Sequence, residues 1–289
     1  MAYQSLEEIN EFCTEQKLPF WRAVLLDDMN ERTVTENESL SAMQGMWDAM
    51  LRASDDYDEK LSSGSGLVGG MGGRMEEYRE KGNTLCGDFV SKVIVQALQM
   101  GESNACMKRI VAAPTAGACG VIPAVLVPLY REGHITTDRI IEALYVTAGI
   151  GQVIASRAFI AGAAGGCQAE VGTASSMAAG ALAYLKGGDN EQIVHAAAMA
   201  LKNLLGLVCD PVAGLVEVPC VKRNVIGAVN ALSSADMALA GITSRIPPDQ
   251  VIDAMREVGE SMHVSLRETG EGGVANTPKA KEIAERLSK

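Results

Sequence analysis

Apolar residues recur at helical spacing along most of this 289-residue chain. Within residues 35–60 the large apolar side chains follow a helical period, at Leu40, Met43, Met46, Trp47, Met50 and Leu51. A period near 3.6 predicts an amphipathic helix, whereas a half-buried strand would alternate every second residue. No convincing alternation occurs along the chain, so the pattern predicts an all-α fold.

The same pattern predicts further helices separated by turns. They cover residues 88–100, 122–130, 137–160, 171–185, 191–205, 224–242 and 251–262, with a last one opening at Pro278. Glycine is common just after the last residue of a helix, and proline is common at the first. We therefore expect Gly101 to end one helix and Pro248 to begin another. Residues 62–75, SSGSGLVGGMGGRM, form a glycine-rich loop on the same reasoning.

The chain carries no linker, low-complexity tract or fixed-period repeat. We therefore expect one large helical domain over residues 1–289, with the loops between helices free to carry chemistry. The acidic residues 1–60 are a candidate N-terminal helical appendage.

The net charge and hydropathy of the chain restrict which binding partners and which cellular location are expected. The formal net charge is −11 and the pI is near 4.9, which argues against nucleic acid or an acidic membrane surface as the main partner. Residues 110–130 are uncharged, but prolines and glycines interrupt them, so we expect a buried turn and a core helix there. The first residues, MAYQSLEEINEFC, do not resemble a signal peptide, so we expect a cytoplasmic chain without a membrane span.

Seven cysteines in a cytoplasmic chain are not expected to form disulfides. Three lie among ordinary helical residues, where a buried core role is expected: Cys13, Cys86 and Cys106. The other four adjoin glycine or proline: Cys119, Cys167, Cys209 and Cys220. Thiolates that project from such turns suit a metal or iron–sulfur cluster, and no C-x₂-C pair points to zinc. Buried core thiols remain the alternative interpretation.

The segment GLVCDPVAGLVEVPC, residues 206–220, contains two of these thiols. Proline follows the residue after Cys209 and directly precedes Cys220. Because proline disfavours helical geometry in the residue before it, we expect both cysteines to lie off helices.

Four long motifs in order carry a family resemblance: AAPTAGACGVIPAVL (112–126), GGCQAEVGTASSMAAGAL (165–182), CDPVAGLVEVPC (209–220) and RETGEGGVA (267–275). Residues 62–276 resemble the catalytic chain of the iron–sulfur-dependent L-serine dehydratases, and in particular the α chain of the two-chain type. The resemblance implies an all-helical catalytic domain and a [4Fe–4S] cluster held by Cys167, Cys209 and Cys220. It implies that Cys119 is not a ligand.

The resemblance also implies a reaction and a partner. L-Serine would lose water to give an aminoacrylate, which tautomerises and hydrolyses to pyruvate and ammonia, with the open iron acting as a Lewis acid on the substrate carboxylate and hydroxyl. A β chain, smaller and of α/β type, would dock on this one. Single-chain relatives carry a cysteine near the C-terminus that can occupy the fourth iron, but the tail GGVANTPKAKEIAERLSK has none. We therefore expect water, a foreign ligand or substrate at that iron.

Four residues are candidates for substrate contacts, each with a plainer alternative. The Thr115 hydroxyl suits a substrate contact or a helix cap. The loop at Ser65 and Gly66 offers N–H groups for an anion, or is simply flexible. Lys222 suits a carboxylate, although a solvated lysine is the favoured interpretation.

The general base is not assigned from the sequence. Three histidines are candidates by residue type, His134, His195 and His263, and none lies in a convincing context. A two-chain enzyme can take its base from the partner.

Of three alternative functions, the sequence disfavours one and leaves two open. A pyridoxal-phosphate deaminase would need a strand pattern that this chain lacks. An L-cysteine desulfidase with a similar cluster and a non-enzymatic iron–sulfur sensor both stay open at this stage.

Overall fold

The computed structural model describes residues 3–288. This part of the chain is all-α, as predicted, with no β-strand and thirteen α-helices. They are α1 (Leu6–Gln16), α2 (Phe20–Arg32), α3 (Glu36–Asp55), α4 (Met71–Glu80), α5 (Gly87–Ala105), α6 (Val121–Arg131), α7 (Thr137–Arg157), α8 (Gly162–Gly165), α9 (Thr173–Leu185), α10 (Asn190–Lys202), α11 (Cys220–Leu239), α12 (Pro248–Ser261) and α13 (Pro278–Leu287).

The central helix is α9, and its sequence explains why. Every residue from Thr173 to Tyr184 is buried, and most are alanine, serine or glycine. Helices α6, α7, α10 and α11 all pack against it. A helix that is apolar all round must be surrounded, and small side chains let its neighbours approach closely. Residues 165–172, which lead into α9, are buried as well, except for the half-buried Glu170.

Helix α5 corrects one predicted boundary. It continues through Gly101 to Ala105, so the prediction that this glycine ends the helix was wrong. A Cβ at Gly101 would lie 3.0 Å from Cγ1 of Val221, on α11. The glycine is therefore explained by the close packing of two helices.

The N-terminal helices contribute to the same buried cluster as the rest of the chain. Leu6 and Ile9 of α1, and Phe20 and Val24 of α2, belong to this cluster. Helix α2 lies against α7. No helix within residues 3–288 is both long enough and apolar enough to cross a bilayer.

Candidate functional site

Cys167 lies after α8, at the start of the helical stretch that continues into α9. Gly166 precedes it with φ 78° and ψ −179°, a conformation that only glycine adopts readily. A Cβ at this position would also lie 2.8 Å from the carbonyl oxygen of Leu207. After Cys167 the chain makes one turn of π-helix, Gln168–Gly172, and enters α9. The thiol is 2% exposed.

Gln168 ties this turn to the segment that carries Cys209. Its backbone N–H donates to the Leu207 carbonyl at 3.0 Å, and its side-chain oxygen accepts from the Gly206 N–H at 2.8 Å. Its amide nitrogen donates to the Met255 carbonyl at 3.2 Å, on α12. Because Gln168 is fully buried, these bonds hold the two cysteine segments in a fixed relation.

Cys209 lies off any helix, as predicted, and pairs with the RETGEGGVA motif. Its N–H donates to the Leu266 carbonyl at 2.8 Å, and its carbonyl accepts from the Glu268 N–H at 2.7 Å. The next residue, Asp210, accepts from the Val274 N–H at 2.6 Å. The last two sequence motifs therefore lie side by side, with the Cys209 thiol 3% exposed.

Cys220 is the first residue of α11, so the prediction that it lies off a helix was wrong. Pro219 stands just before the helix, where it ends the preceding loop without disturbing the helical ladder. The thiol is 7% exposed. At the N-terminus of a helix the backbone dipole favours negative charge, which suits a thiolate.

The thiols interact with one another and with Arg223. A hydrogen bond with Cys209 lowers the pKa of Cys167 against the effect of burial, and Arg223 lowers it further. The same hydrogen bond, together with burial, raises the pKa of Cys209. Burial raises the pKa of Cys220 to about 12, and the charge on Cys167 adds to this. The three predicted ligands therefore lie close enough together to change one another's pKa values.

Glu170 faces the same space and was missed by the sequence interpretation. A Cβ at Gly162 would lie 2.8 Å from Cys209 Sγ and 3.0 Å from Glu170 Oε2, so this glycine leaves room for both groups. Burial raises the pKa of Glu170, the Thr115 hydroxyl lowers it, and Glu268 raises it. The buried Thr115 oxygen faces this carboxylate without a hydrogen bond of good geometry.

Asn224 holds the Thr115 turn against α11. Its side-chain oxygen accepts from the Gly120 N–H at 2.8 Å, and its amide donates to the Gly117 carbonyl at 2.8 Å. The APTAGACG motif is thereby fixed one helical turn from Cys220.

The other predicted substrate residues have different surroundings. Ser65 Oγ donates to Oε2 of the buried Glu217 at 2.5 Å, and the Gly66 N–H donates to the Ser63 carbonyl at 2.9 Å. Lys222 is exposed on α11 and makes no ion pair within residues 3–288. These three roles stay predictions.

The remaining cysteines divide differently from the expectation. Cys13 and Cys119 are buried, but Cys106 is only half-buried and Cys86 is exposed. The core prediction is wrong for Cys86, which directly precedes α5 in a turn that presents both Leu85 and Cys86 to solvent.

The histidines make contacts of other kinds. His195 faces Glu191 one turn away on α10, at 3.8 Å. His263 accepts from the Ser265 N–H at 3.2 Å, and His134 is exposed after α6. None of these contacts involves a candidate cysteine.

Segments from the four sequence motifs thus lie together around three buried thiols. A comparison with protein families identifies the chain. The family model described as serine dehydratase alpha chain matches residues 15–275. The chain belongs to this family. The resemblance stated from the motifs is confirmed.

Individual relatives give the same result. The chain is 43% identical to the probable L-serine dehydratase, alpha chain, of Bacillus subtilis (strain 168), across 99% of this chain and 95% of that protein. It is 42% identical to the L-serine dehydratase, alpha chain, of Peptoniphilus asaccharolyticus, across 96% of this chain and 95% of that protein.

A further relative is longer than this chain. The L-serine dehydratase of Haemophilus influenzae is 38% identical across 94% of this chain, which covers 61% of that protein. This member of the serine dehydratase alpha chain family therefore corresponds to part of the longer protein.

Proposed function

We propose that this chain is the α chain of an L-serine dehydratase, which converts L-serine into pyruvate and ammonia. The observation that carries the proposal is the convergence of Cys167, Cys209 and Cys220, buried and interacting, from three separate segments. The relatives named L-serine dehydratase, alpha chain, support the substrate.

The donor set fits a [4Fe–4S] cluster held by the three cysteines. Thiolates are the usual ligands of such clusters, and the three proposed donors are all cysteine sulfurs. A [4Fe–4S] cluster is therefore the group that we propose for this site. When bound, it would supply a Lewis acid at the iron without a protein ligand.

Glu170 and Thr115 are two of the chain's own polar groups at the site. We assign the Glu170 carboxylate to the α-ammonium group of serine, because it is the acidic side chain facing Gly162 and Cys209. The Thr115 hydroxyl, whose oxygen lacks a good hydrogen bond, then donates to the substrate carboxylate.

The overall reaction balances without an oxidant or reductant. A base removes the Cα proton, the electron pair forms the Cα–Cβ double bond, and hydroxide leaves Cβ. The resulting aminoacrylate tautomerises to an imine, and water releases ammonia and leaves pyruvate. We place the base on the β chain.

Metal analysis tests the cofactor. Anaerobic reconstitution of the wild-type chain should yield about four iron and about four sulfide per chain. Cys167→Ser, Cys209→Ser and Cys220→Ser should each lose most of both. The matched control is Cys119→Ser, at a buried thiol whose nearest acceptor is the Met100 carbonyl at 3.8 Å, and it should keep both. Full iron and sulfide in all three ligand variants would contradict the assignment.

Turnover tests the substrate. With the β chain present, L-serine should be converted faster than L-threonine or L-cysteine. Exclusive turnover of L-cysteine would make the enzyme a desulfidase, and no turnover of any of the three would favour a sensor.

Glu170→Gln tests the ammonium contact. We expect KM for L-serine to rise about tenfold, as for loss of one charge-assisted hydrogen bond, while iron and sulfide stay unchanged. Glu257→Gln, an exposed position on α12, is the control for the same chemical change. An unchanged KM would remove Glu170 from the binding site.

A further inference from the structure

Arg223 links the helix that Cys220 begins to the segment that carries Cys209, close to Cys167. It lies on α11, one turn after Cys220. Its Nη1 donates to the Val208 carbonyl at 2.7 Å, and its Nη2 pairs with Asp210 Oδ1 at 2.8 Å. These two partners flank Cys209 on either side. The guanidinium also lies close to Cys167, and its positive charge lowers the pKa of that thiol.

Burial of the ion pair between Arg223 and Asp210 costs free energy of folding. The side chains of Arg223 and Asp210 are 12% and 2% exposed, so the ion pair is largely withdrawn from water. Burying two charges costs free energy that their attraction only partly offsets. A buried ion pair is therefore weak evidence of a stabilising role, and its position beside three thiols points to a functional one.

The charges at the site explain what the arginine does there. The other oxygen of Asp210, Oδ2, accepts a hydrogen bond from the Val274 N–H at 2.6 Å, which fixes the carboxylate in place. An arginine guanidinium stays protonated in proteins, so Arg223 brings a fixed positive charge to the site. Its planar fork can hold a carboxylate, a carbonyl and a sulfur at once, which a lysine ammonium cannot do with the same rigidity.

We infer that Arg223 is the positioning residue of the cluster site. It fixes the 208–210 segment against Cys167 and the start of α11, and it donates to the Cys167 sulfur when the cluster is bound. This inference rests on the proposed function. Hydrogen bonds to ligand sulfurs stabilise the more negative, reduced form of a cluster, so Arg223 should also raise its reduction potential.

The test compares Arg223→Gln, Arg223→Lys and the wild-type chain after anaerobic reconstitution. Arg256→Gln is the matched control, because Arg256 is exposed on α12 and makes no ion pair in the described part of the chain. Three quantities are measured: iron and sulfide per chain, the rate of iron loss to a chelator, and the midpoint potential of the cluster. Far-UV circular dichroism and urea unfolding of the iron-free chains report the fold.

For Arg223→Gln we expect iron to be lost about 10- to 100-fold faster, as is usual when a residue supporting a metal ligand is removed. The potential should fall, and the iron-free chain should keep its helical content. Arg223→Lys should restore part of the potential and less of the iron retention, because it keeps the charge but not the fork. Arg256→Gln should match the wild type in all three quantities.

Two results would overturn the inference. One is unchanged iron retention and potential in Arg223→Gln. The other is unfolding of both Arg223 variants without iron, which would make Arg223 a structural residue. If the wild-type chain itself held no iron or sulfide, the proposed cofactor would fail first, so the two failures are distinguishable.

Discussion

Two glycines determine how closely the groups of the site approach one another. Gly166 supplies the backbone conformation from which Cys167 enters its turn, and Gly162 leaves space for Cys209 and Glu170. Neither role is visible in a hydrophobic pattern, because it depends on atoms from segments that are distant in sequence.

Gly166→Ala should lower the free energy of unfolding by about 1–3 kcal/mol. The new Cβ would occupy a backbone conformation reserved for glycine and would lie 2.8 Å from the Leu207 carbonyl oxygen. Urea unfolding measures the loss. Gly45→Ala is the control, since a Cβ there meets nothing within 4 Å, and helix propensity should make it stabilising by up to about 1 kcal/mol. Equal stability of Gly166→Ala and wild type would contradict the strain argument.

Asp27 is a buried carboxyl between α2 and α7, where Gln152 donates to it at 3.4 Å. Burial raises its pKa, Gln152 lowers it, and Glu31 raises it, with a net rise. A raised folded-state pKa favours folding below the unfolded value, near 4, and that contribution is lost as the pH rises through the folded value.

Asp27→Asn should therefore gain stability relative to wild type as the pH rises from about 4 to 7. The substitution removes the cost of a buried charge that exists only at the higher pH. Urea unfolding at both pH values gives the comparison, with the exposed Asp236→Asn as the control for loss of one charge. A gain that is larger at pH 4 than at pH 7 would reverse the sign and contradict the argument.

At the scale of elements, the N-terminus of α4 is capped by a carboxylate from α5. The buried Glu102 accepts from the N–H groups of Met71 and Gly72 at 2.7 and 2.8 Å, and from the Tyr57 hydroxyl at 2.6 Å. Gly70 precedes α4 and offers no side-chain cap. A negative group supplied from another helix therefore satisfies the free N–H groups and the helix dipole.

Glu102→Gln should lower the free energy of unfolding by about 2 kcal/mol, because it removes the charge and replaces one of the two accepting oxygens with an amide group that faces an N–H donor. Glu77→Gln, on the exposed side of α4, should change it by less than about 0.5 kcal/mol. Urea unfolding monitored by circular dichroism measures both. The cap would lose its assigned role if the two variants were equally stable.

At the scale of the whole molecule, the site joins segments that the chain separates widely. Cys167 enters the central helix α9, Cys209 lies in a loop, and Cys220 begins α11. A ligand that binds only when these segments are in place stabilises the folded state as a whole.

Reconstituted wild-type chain should accordingly have a higher Tm than the iron-free chain. Cys167→Ser should show the same Tm with and without iron treatment, because it lacks one of the three proposed ligands. Anaerobic differential scanning calorimetry measures both. Identical Tm values for the two wild-type forms would mean that the cluster does not bind the folded state selectively.

The hydrophobic pattern was sufficient to predict most helices. It failed where contacts between distant helices determine the bounds of a helix. Spacing predicted the helices α3, α6, α7, α10 and α12 within a few residues. For α1 and α2 the prediction was only that residues 1–60 form a helical segment, without bounds for either helix. Gly101 shows the failure clearly, since a glycine that lets α5 approach α11 looks, in sequence alone, the same as one that ends a helix.

The site residues could be predicted only in part from the sequence. Glu170 follows Cys167 by three positions within a quoted motif. Its raised pKa distinguishes it from other carboxylates, but this shift is caused by burial, which the sequence does not show. On α11, the helical period places residue 223 on the same side as Cys220 and residue 222 on another. Recognising that Cys220 begins the helix would therefore have selected Arg223 over Lys222.

The sequence by itself determined the all-α class and the family, because helical periodicity is local and the four motifs stand in a fixed order along the chain. Only the tertiary structure decided which polar groups face the thiols. Arg223, Asp210 and Glu170 meet them, while Ser65 is turned to Glu217. These contacts depend on how helices far apart in sequence pack around α9, and packing of that kind leaves no periodic trace in the chain.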